Sequence, residues 1–257
     1  MGKEQNPAYG LLQIPFSISI LAGIELMHKT FAVVPAAGRG ARMGGRQPKQ
    51  FLMLAGKPIL AHTIEKLSQL PFITGIMLVA PPGLLTYSEE MVRDYCSGCA
   101  LAIRVVEGGK ERQDSVFNAL QSLPADCEWV LIHDGVRPFA SNELMEATWK
   151  AAQKSGAAIA AVSATDTIKR VQNARVVETL QREQIILVQT PQVFRSDLIM
   201  GAYREARNQG WLGTDDASFL ERLNLRVDVV EGEYSNIKVT RPSDLAWAEW
   251  FLIHGRV

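Results

Sequence analysis

A glycine-rich segment near the start of the chain carries the strongest chemical signal in this sequence. Residues 35–50 read PAAGRGARMGGRQPKQ. Glycines let a backbone approach a ligand closely and point its N–H groups at it. Between Glu25 and Glu65 the chain has no carboxylate but six basic side chains, namely Lys29, Arg39, Arg42, Arg46, Lys49 and Lys57. This local excess of positive charge predicts that the segment binds an anion.

Three kinds of phosphate-binding loop were compared with the segment. A P-loop needs Gly-Lys followed by Ser or Thr, which the segment lacks. A dinucleotide loop needs G-x-G-x-x-G and an acidic residue about 20 positions further on. Here three residues instead of two separate Gly40 from Gly44, and the next predicted strand ends without an acidic residue. We therefore predict a triphosphate cradle in which Arg42 and Lys49 stabilise charge on a reacting phosphate. A basic surface loop without a ligand is the remaining alternative.

Residues 129–138 read WVLIHDGVRP, an apolar run that is followed by a carboxylate, Asp134. Ligands of open α/β sheets bind at the carboxyl ends of the strands, so Asp134 is predicted to lie at the site. Mg²⁺ takes one or two carboxylates and leaves its other positions to phosphates and waters, which makes Asp134 the predicted Mg²⁺ ligand. Gly135 permits close approach of the ligand, and Arg137 is available for a second anion. The alternative is that Asp134 only ends the strand in a turn.

Three segments towards the C-terminus add weaker signals. Lys238 lies within a predicted strand, Ile237–Val239, where a lysine needs an anion or access to solvent. Thr190 ends another predicted strand, and Thr214 precedes a helix that it or the following aspartate could cap. We predict that Arg137, Thr190, Thr214 and Thr240 contact an acceptor substrate.

The rest of the sequence alternates between apolar runs and amphipathic stretches. The predicted strands are Phe31–Val34, Ile73–Ala80, Ala102–Val106, Trp129–His133, Ala157–Val162, Ile186–Gln189, Arg226–Val230 and Ile237–Val239. The predicted helices are Ile59–Gln69, Glu90–Tyr95, Arg112–Ser122, Asn142–Lys154, Ser196–Asn208 and Asp215–Leu223. The strands lack alternation between apolar and polar residues, as expected where both faces are covered. This order predicts an α/β fold with a doubly wound, mostly parallel, Rossmann-like sheet.

One segment interrupts that order. Residues 165–182 read as two short strands around Gln172–Ala174, which predicts a β-hairpin arm inserted after a core strand. An arm that projects exposes its strand edges, and proteins often cover such edges with a partner subunit.

Composition excludes several classes of protein. The 257 residues include 27 Lys+Arg and 27 Asp+Glu, so the chain lacks the basic excess of a general nucleic-acid binder. Its three cysteines do not indicate a secreted disulfide framework. The apolar stretch at residues 10–27 is short and interrupted by Pro15 and Glu25, unlike a membrane-spanning helix. We predict a cytoplasmic protein without a membrane or nucleic-acid partner, made of an N-terminal extension (1–29), which need not be ordered, and one domain (30–257).

Cysteines suggest a competing site. Cys96 and Cys99 form a C-x-x-C motif, and Cys127 and His133 follow. A zinc site or a redox pair is conceivable on this spacing. Both are disfavoured, because His133 lies in a buried strand and the motif follows a helix instead of opening one.

Six motifs, taken in order along residues 31–252, give a family resemblance. They are PAAGRGARMG with PKQ, HDGVRP, DTIK, QTPQ, TDDAS and NIKVTRPSDL. The series resembles the 2-C-methyl-D-erythritol 4-phosphate cytidylyltransferases of the non-mevalonate isoprenoid pathway, which are nucleotidyltransferases of the glycosyltransferase-A-like type. The first motif alone is shared with many sugar nucleotidyltransferases, and the whole series is far more specific. Val136 and Ser163 depart from the family pattern, which commonly has alanine and proline there.

The resemblance implies roles for individual residues. It places CTP against Ala36, Ala37, Gly38, Gly109, Ser115 and Gly135. It assigns Arg42 and Lys49 to the triphosphate and the transition state, and Asp134 to Mg²⁺ and the reacting phosphates. The sugar phosphate is assigned to Arg182, Lys238, Thr167, Thr190 and Thr214.

The resemblance also implies a homodimer in which the arm reaches across to the partner, so that Arg182 or its neighbours complete the partner's site. The implied reaction joins CTP to 2-C-methyl-D-erythritol 4-phosphate. Three alternatives remain at this point: a ribitol-5-phosphate cytidylyltransferase, a non-catalytic nucleotide-binding module, and a membrane-tethered scaffold.

Overall fold

The computed structural model describes residues 28–38 and 47–255. Most of the N-terminal extension and residues 39–46, including Arg42, lie outside the described residues. No helix in the described part of the chain is long and apolar enough to cross a membrane.

Within the described residues, seven strands form one sheet in the order β11-β7-β10-β6-β1-β4-β5. These strands are β1 (Thr30–Pro35), β4 (Ile73–Ala80), β5 (Ile103–Glu107), β6 (Trp129–Ile132), β7 (Ala157–Ser163), β10 (Ile186–Arg195) and β11 (Asp228–Glu231). Their pairings are parallel except around β10, which runs antiparallel to both β6 and β7. The predicted α/β fold with a mostly parallel sheet is therefore confirmed.

Helices cover both faces of this sheet. They are α1 (Ile59–Ser68), α2 (Leu85–Tyr95), α3 (Arg112–Gln121), α4 (Asn142–Ser155), α5 (Ser196–Asn208), α6 (Ala217–Arg222) and α7 (Pro242–His254). On β1, Ala32 and Val34 pack with α1, α2 and α4 on one face, whereas Val33 packs with α3, α5 and α6 on the other. Burial on both faces explains why the strand sequences do not alternate.

Local sequence sets the helix ends. The hydroxyl of Ser141 accepts a hydrogen bond from the backbone N–H of Leu144 and caps the start of α4. The same helix ends at Gly156, whose φ of 93° lies in the left-handed region that favours glycine. α4 therefore begins and ends where its capping residues stand in the sequence.

Four predicted elements differ from the structure. Residues 237–239 form no strand; they lie in an extended segment where the N–H of Val239 donates to the carbonyl of Val136. The predicted strand Ile186–Gln189 continues to Arg195, because its second half pairs with β6 as well as β7. The predicted helix Glu90–Tyr95 starts earlier, at Leu85, and the predicted helix Asp215–Leu223 is shorter, spanning Ala217–Arg222.

The predicted arm is present as a hairpin of β8 (Lys169–Gln172) and β9 (Arg175–Thr179). Its turn places Asn173 and Ala174 at positive φ, as short hairpin loops of the primed type require. Every residue of both strands is exposed. A second short hairpin, β2 (Met53–Leu54) with β3 (Lys57–Pro58), precedes α1.

Candidate active site

A cleft with two lobes opens at the carboxyl ends of the central strands. The larger lobe has a volume of about 520 Å³ and lies beside the end of β1, the start of α3 and the 3₁₀ turn Lys49–Phe51. The smaller lobe, of about 380 Å³, lies between β10 and the start of α6. Arg112, Asp134 and Lys238 line both lobes. These three charged side chains form what we call the junction.

Asp134 is the buried centre of the junction. The ammonium of Lys238 lies 2.7 Å from its Oδ2, Nε of Arg137 lies 3.5 Å from the same oxygen, and Nη2 of Arg112 lies 3.7 Å from Oδ1. Burial by itself raises the pKa of Asp134, but Lys238, Arg112 and Arg137 together hold that pKa well below its usual value. Asp134 is therefore a carboxylate at every working pH.

Arg112 is the junction residue that sequence analysis missed. Its guanidinium binds both carboxylate oxygens of Asp216, at 2.9 and 2.7 Å, and the hydroxyl of Tyr203 donates to the same carboxylate. The bidentate pair fixes the start of α3, in the larger lobe, against the start of α6, in the smaller one. The available signal was the position of Arg112 directly after a Gly-Gly-Lys-Glu segment that follows β5.

Close packing explains the glycines of the larger lobe. A Cβ on Gly109 would lie 2.3 Å from Cβ of Asp114, and one on Gly108 would lie 2.5 Å from Cβ of Ala37. The N–H of Gly109 donates to the hydroxyl of Ser115 at 3.0 Å. The loop before α3 is thereby held against the end of β1.

Most of the predicted site residues come together in the cleft. The larger lobe is lined by Ala36, Ala37, Gly38, Lys49, Gly109, Ser115, Asp134 and Lys238. The smaller lobe is lined by Arg137, Thr190 and Thr214 together with the junction. Gln50, which was not predicted, is buried and donates its side-chain N–H to the carbonyl of Ala36, so it fixes the turn that carries Lys49.

Two predicted residues have structural roles outside both lobes. The hydroxyl and the N–H of Thr240 both bind the carboxylate of Asp244 at 2.8 Å, where α7 starts. Thr240 therefore stabilises a helix start, and its predicted contact with substrate stays a prediction. Gly135 does not line a lobe either: a Cβ there would lie 2.8 Å from Leu60, so packing requires the glycine.

The arm residues stand apart from this cleft. Thr167 and Arg182 line neither lobe. The guanidinium of Arg182 is exposed and donates to the carbonyl of Thr165 at 3.0 Å. Their predicted roles therefore depend on a second copy of the chain.

A zinc site built from the cysteines is not present in the described residues, where no three metal-binding side chains cluster. Cys96 packs into the core on one face of the sheet and Cys127 into the core on the other. Burial, with a smaller effect from Cys99, raises the pKa of Cys96 to about 12, and burial raises that of Cys127 to about 11. Such thiols stay protonated, which is unfavourable for metal binding and for redox chemistry.

His133, directly before Asp134, is fully buried. Burial lowers its pKa from 6.5 to about 4, against opposing effects of the Arg137 carbonyl and Asp134. Between these two values the unfolded chain takes up a proton that the folded chain does not. Stability therefore falls as the pH falls through this window.

Because of this shift in the pKa of His133, we expect the free energy of unfolding to fall by about 2 kcal/mol between about pH 7.5 and about pH 5. Urea unfolding of the protein at the two pH values measures the loss. In His133→Asn, which has no group that titrates there, the loss should shrink by that amount. An equal loss in both proteins would contradict the assignment.

Asp134 also suits a metal ion. It offers one ionised carboxylate at the wall shared by the lobes, and Mg²⁺ needs only one or two carboxylates when phosphates and waters supply its other ligands. Nη2 of Arg112 lies 3.7 Å from its Oδ1, beyond hydrogen-bonding distance. The donor set therefore fits Mg²⁺ held jointly with phosphate oxygens.

Known proteins with similar sequences belong to one enzyme family. A sequence model of the family IspD, 2-C-methyl-D-erythritol 4-phosphate cytidylyltransferase, matches residues 30–254. The protein of that name from Solibacter usitatus is 44% identical over 235 residues, which cover 87% of this chain and 96% of the relative. The protein of the same name from Geotalea uraniireducens is 47% identical over 223 residues, covering 86% and 95%.

Solved structures similar to this chain carry names of the same enzyme family. The structure of 4-diphosphocytidyl-2C-methyl-D-erythritol synthase from Anaerococcus prevotii superimposes with a TM-score of 0.77 and 33% identity, covering 88% of this chain and 97% of that one. The structure of 2-C-methyl-D-erythritol 4-phosphate cytidylyltransferase from Thermus thermophilus gives a TM-score of 0.71 at 33% identity, covering 89% and 100%.

Proposed function

This chain belongs to the 2-C-methyl-D-erythritol 4-phosphate cytidylyltransferase family, and we propose that its larger lobe holds CTP and its smaller lobe the sugar phosphate. The enzyme joins the two substrates into 4-diphosphocytidyl-2-C-methyl-D-erythritol and releases diphosphate, a step in isoprenoid precursor biosynthesis. Its relatives favour this acceptor over ribitol 5-phosphate, and favour an enzyme over a non-catalytic nucleotide-binding module.

The observation that carries the proposal is the junction. Two anionic substrates that react with each other must meet, and they repel each other in the absence of cations. Arg112 and Lys238 lie on the wall common to both lobes, and Arg137 lines the smaller lobe beside them. The arrangement supplies positive charge at the point where the two phosphates approach.

The reaction is a substitution at phosphorus. An oxygen of the acceptor phosphate attacks the α-phosphorus of CTP, the new P–O bond forms, and the bond to the β-phosphate oxygen breaks with its electron pair leaving on diphosphate. The second pKa of a phosphate monoester is about 6, so the nucleophile is already ionised near neutral pH. No general base is needed, and catalysis comes from positioning and electrostatics.

Side chains of the chain act on this substitution from both sides. Lys49, in the larger lobe, is placed to stabilise charge that develops on the triphosphate. Lys238 and Arg137 hold the acceptor phosphate in the smaller lobe. Arg112 is held in place by Asp216, so its charge is pre-organised before substrate binds.

Mg²⁺ is the proposed cofactor, held by Asp134 and by phosphate oxygens of CTP. When bound it neutralises part of the charge of the triphosphate. The low pKa of Asp134 keeps its carboxylate available for this role.

A homodimer through the arm is part of the proposal. Val171 and Val176 on the arm are 57% and 61% exposed, and Leu187, where β10 begins, is 53% exposed. Exposed apolar side chains on projecting strands are suited to contact with a protein partner. A second copy would bury them and bring Arg182 and Thr167 to the partner's smaller lobe, and sedimentation of the pure protein distinguishes dimer from monomer.

We also propose a cytoplasmic location. Cys96, Cys99 and Cys127 are all free thiols, as expected of a protein in a reducing compartment.

Diphosphate release tests the proposed function. The purified enzyme is supplied with CTP, Mg²⁺ and either 2-C-methyl-D-erythritol 4-phosphate or ribitol 5-phosphate. We expect diphosphate with the first acceptor and far less with the second. Equal rates with both acceptors would overturn the acceptor assignment, and no release with either would overturn the proposed function.

A further inference from the structure

A buried histidine with no part in the reaction as described links two walls of the smaller lobe. Nε2 of His133, at the end of β6, lies 2.9 Å from the carbonyl oxygen of Arg137. Its Nδ1 lies 3.1 Å from the hydroxyl of Thr190 on β10. The side chain is fully buried, and these two groups are the hydrogen-bond partners of its ring nitrogens within the described residues.

The partners fix which nitrogen of His133 carries the proton. A carbonyl oxygen can only accept, so Nε2 must donate to Arg137. A fully buried imidazole is neutral, because the charged form loses its hydration, and a neutral ring has one proton. Nδ1 is therefore an acceptor, and the hydroxyl of Thr190 donates to it.

A second contact uses the oxygen of the same hydroxyl. The backbone N–H of Asp134 donates to Oγ1 of Thr190 at 3.0 Å. The hydroxyl proton of Thr190 and one of its lone pairs are thus both engaged. The one lone pair left can only accept a hydrogen bond. Thr190 also lines the smaller lobe.

A group that can only accept a hydrogen bond distinguishes the phosphate of a sugar phosphate from its polyol hydroxyl groups. A phosphate dianion has no hydrogen to donate, whereas each hydroxyl group of the polyol has one. The cations of the smaller lobe, Arg137, Lys238 and Arg112, already provide donors for the phosphate. The family resemblance assigned Thr190 to the sugar phosphate as a whole, and its hydrogen bonds suit it to the polyol part of that substrate.

We propose that His133 is a positioning residue that turns the Thr190 hydroxyl into an obligate hydrogen-bond acceptor, which receives a hydrogen bond from a hydroxyl group of the bound polyol. This inference rests on the proposed function, because it takes the smaller lobe as the acceptor site. It makes His133 a determinant of acceptor specificity without contact to the substrate.

Substrate analogues test the direction of this hydrogen bond with the unaltered enzyme. In each analogue of 2-C-methyl-D-erythritol 4-phosphate, one hydroxyl group is replaced by hydrogen or by fluorine, which accepts weakly and cannot donate. For one position we expect both replacements to lower kcat/KM about five- to tenfold, the worth of one hydrogen bond. In Thr190→Val the same two replacements should have no further effect. If fluorine restores the activity that hydrogen loses, or if Thr190→Val leaves the discrimination intact, the proposal is overturned.

Two substitutions of His133 separate its two hydrogen bonds. Asparagine keeps an acceptor where Nδ1 lies, and glutamine keeps a donor where Nε2 lies. We expect His133→Gln to raise the acceptor KM about five- to tenfold, with the KM for CTP within about twofold of wild type, and His133→Asn to raise the acceptor KM less. Equal effects of both variants on both substrates would mean a purely structural role and would overturn the proposal.

The proposal and the proposed function fail differently. The measurements above require an enzyme that already releases diphosphate from CTP and the unmodified acceptor. Absence of that reaction overturns the proposed function. A normal reaction without hydroxyl discrimination overturns only the role of His133 and Thr190.

Discussion

Replacing Lys49 with alanine is expected to lower turnover by about 10²–10³-fold, the usual cost of one well-placed donor to developing charge. Lys49 lines the larger lobe on a short turn that buried Gln50 ties to the carbonyl of Ala36. The turn holds its position through Gln50, so the variant should fold normally. Steady-state diphosphate release at saturating substrates measures the loss.

Lys57→Ala is the matched control for this substitution. Lys57 is a lysine of the same basic segment, but its ammonium pairs with Glu65 at 2.7 Å, and it lines neither lobe. Its removal should change turnover less than about threefold, since a half-buried ion pair outside the cleft has only a small effect on the reaction. Near-normal turnover of Lys49→Ala, or an equal loss of turnover in Lys57→Ala, would contradict the role assigned to Lys49. Arg42→Ala is predicted to behave like Lys49→Ala, although Arg42 lies outside the described residues.

Asp134→Asn is expected to have an effect at least as large, about 10³-fold in kcat/KM. The substitution keeps the size of the side chain but removes the negative charge that faces Lys238, Arg137 and Arg112. It also removes the ionised ligand proposed for Mg²⁺. We therefore expect both a lower maximal rate and a higher Mg²⁺ concentration for half-maximal activity, measured by Mg²⁺ titration of diphosphate release.

Asp126→Asn is the control for Asp134→Asn. Asp126 is an exposed aspartate that pairs with Lys29 away from the cleft. It should leave both the rate and the Mg²⁺ titration as in the wild type. An unchanged Mg²⁺ titration in Asp134→Asn would contradict the proposed metal ligand, whatever happens to the rate.

Sequence patterns gave the fold and much of the cleft because these depend on local features. Apolar runs such as Trp129–Ile132 predict buried strands, and the rule that ligands lie at strand ends singled out Asp134, which lines both lobes of the cleft. Lys238 was predicted from the cost of a lysine among apolar residues. The structure puts Lys238 in a loop instead of a strand, yet its ammonium still meets an anion, Asp134. The chemical argument was sound where the secondary-structure prediction was not.

The remaining site residues depend on contacts between distant parts of the chain. Arg112 and Asp216 are 104 positions apart, and no local pattern indicates that they pair. Thr240 was predicted to contact substrate, and nothing in the sequence indicated that its hydroxyl would bind Asp244, four residues on. The placement of Thr190 beside His133 likewise follows only from the antiparallel pairing of β10 with β6.

Isotope transfer tests the central claim, that the cleft brings an acceptor phosphate oxygen to the α-phosphorus of CTP. The acceptor is prepared with ¹⁸O in its phosphate group, and the products are separated and analysed by mass spectrometry. The account predicts that the label remains entirely in the diphosphocytidyl product and that the released diphosphate contains none. Label in the diphosphate, or a diphosphocytidyl product without it, would contradict the account.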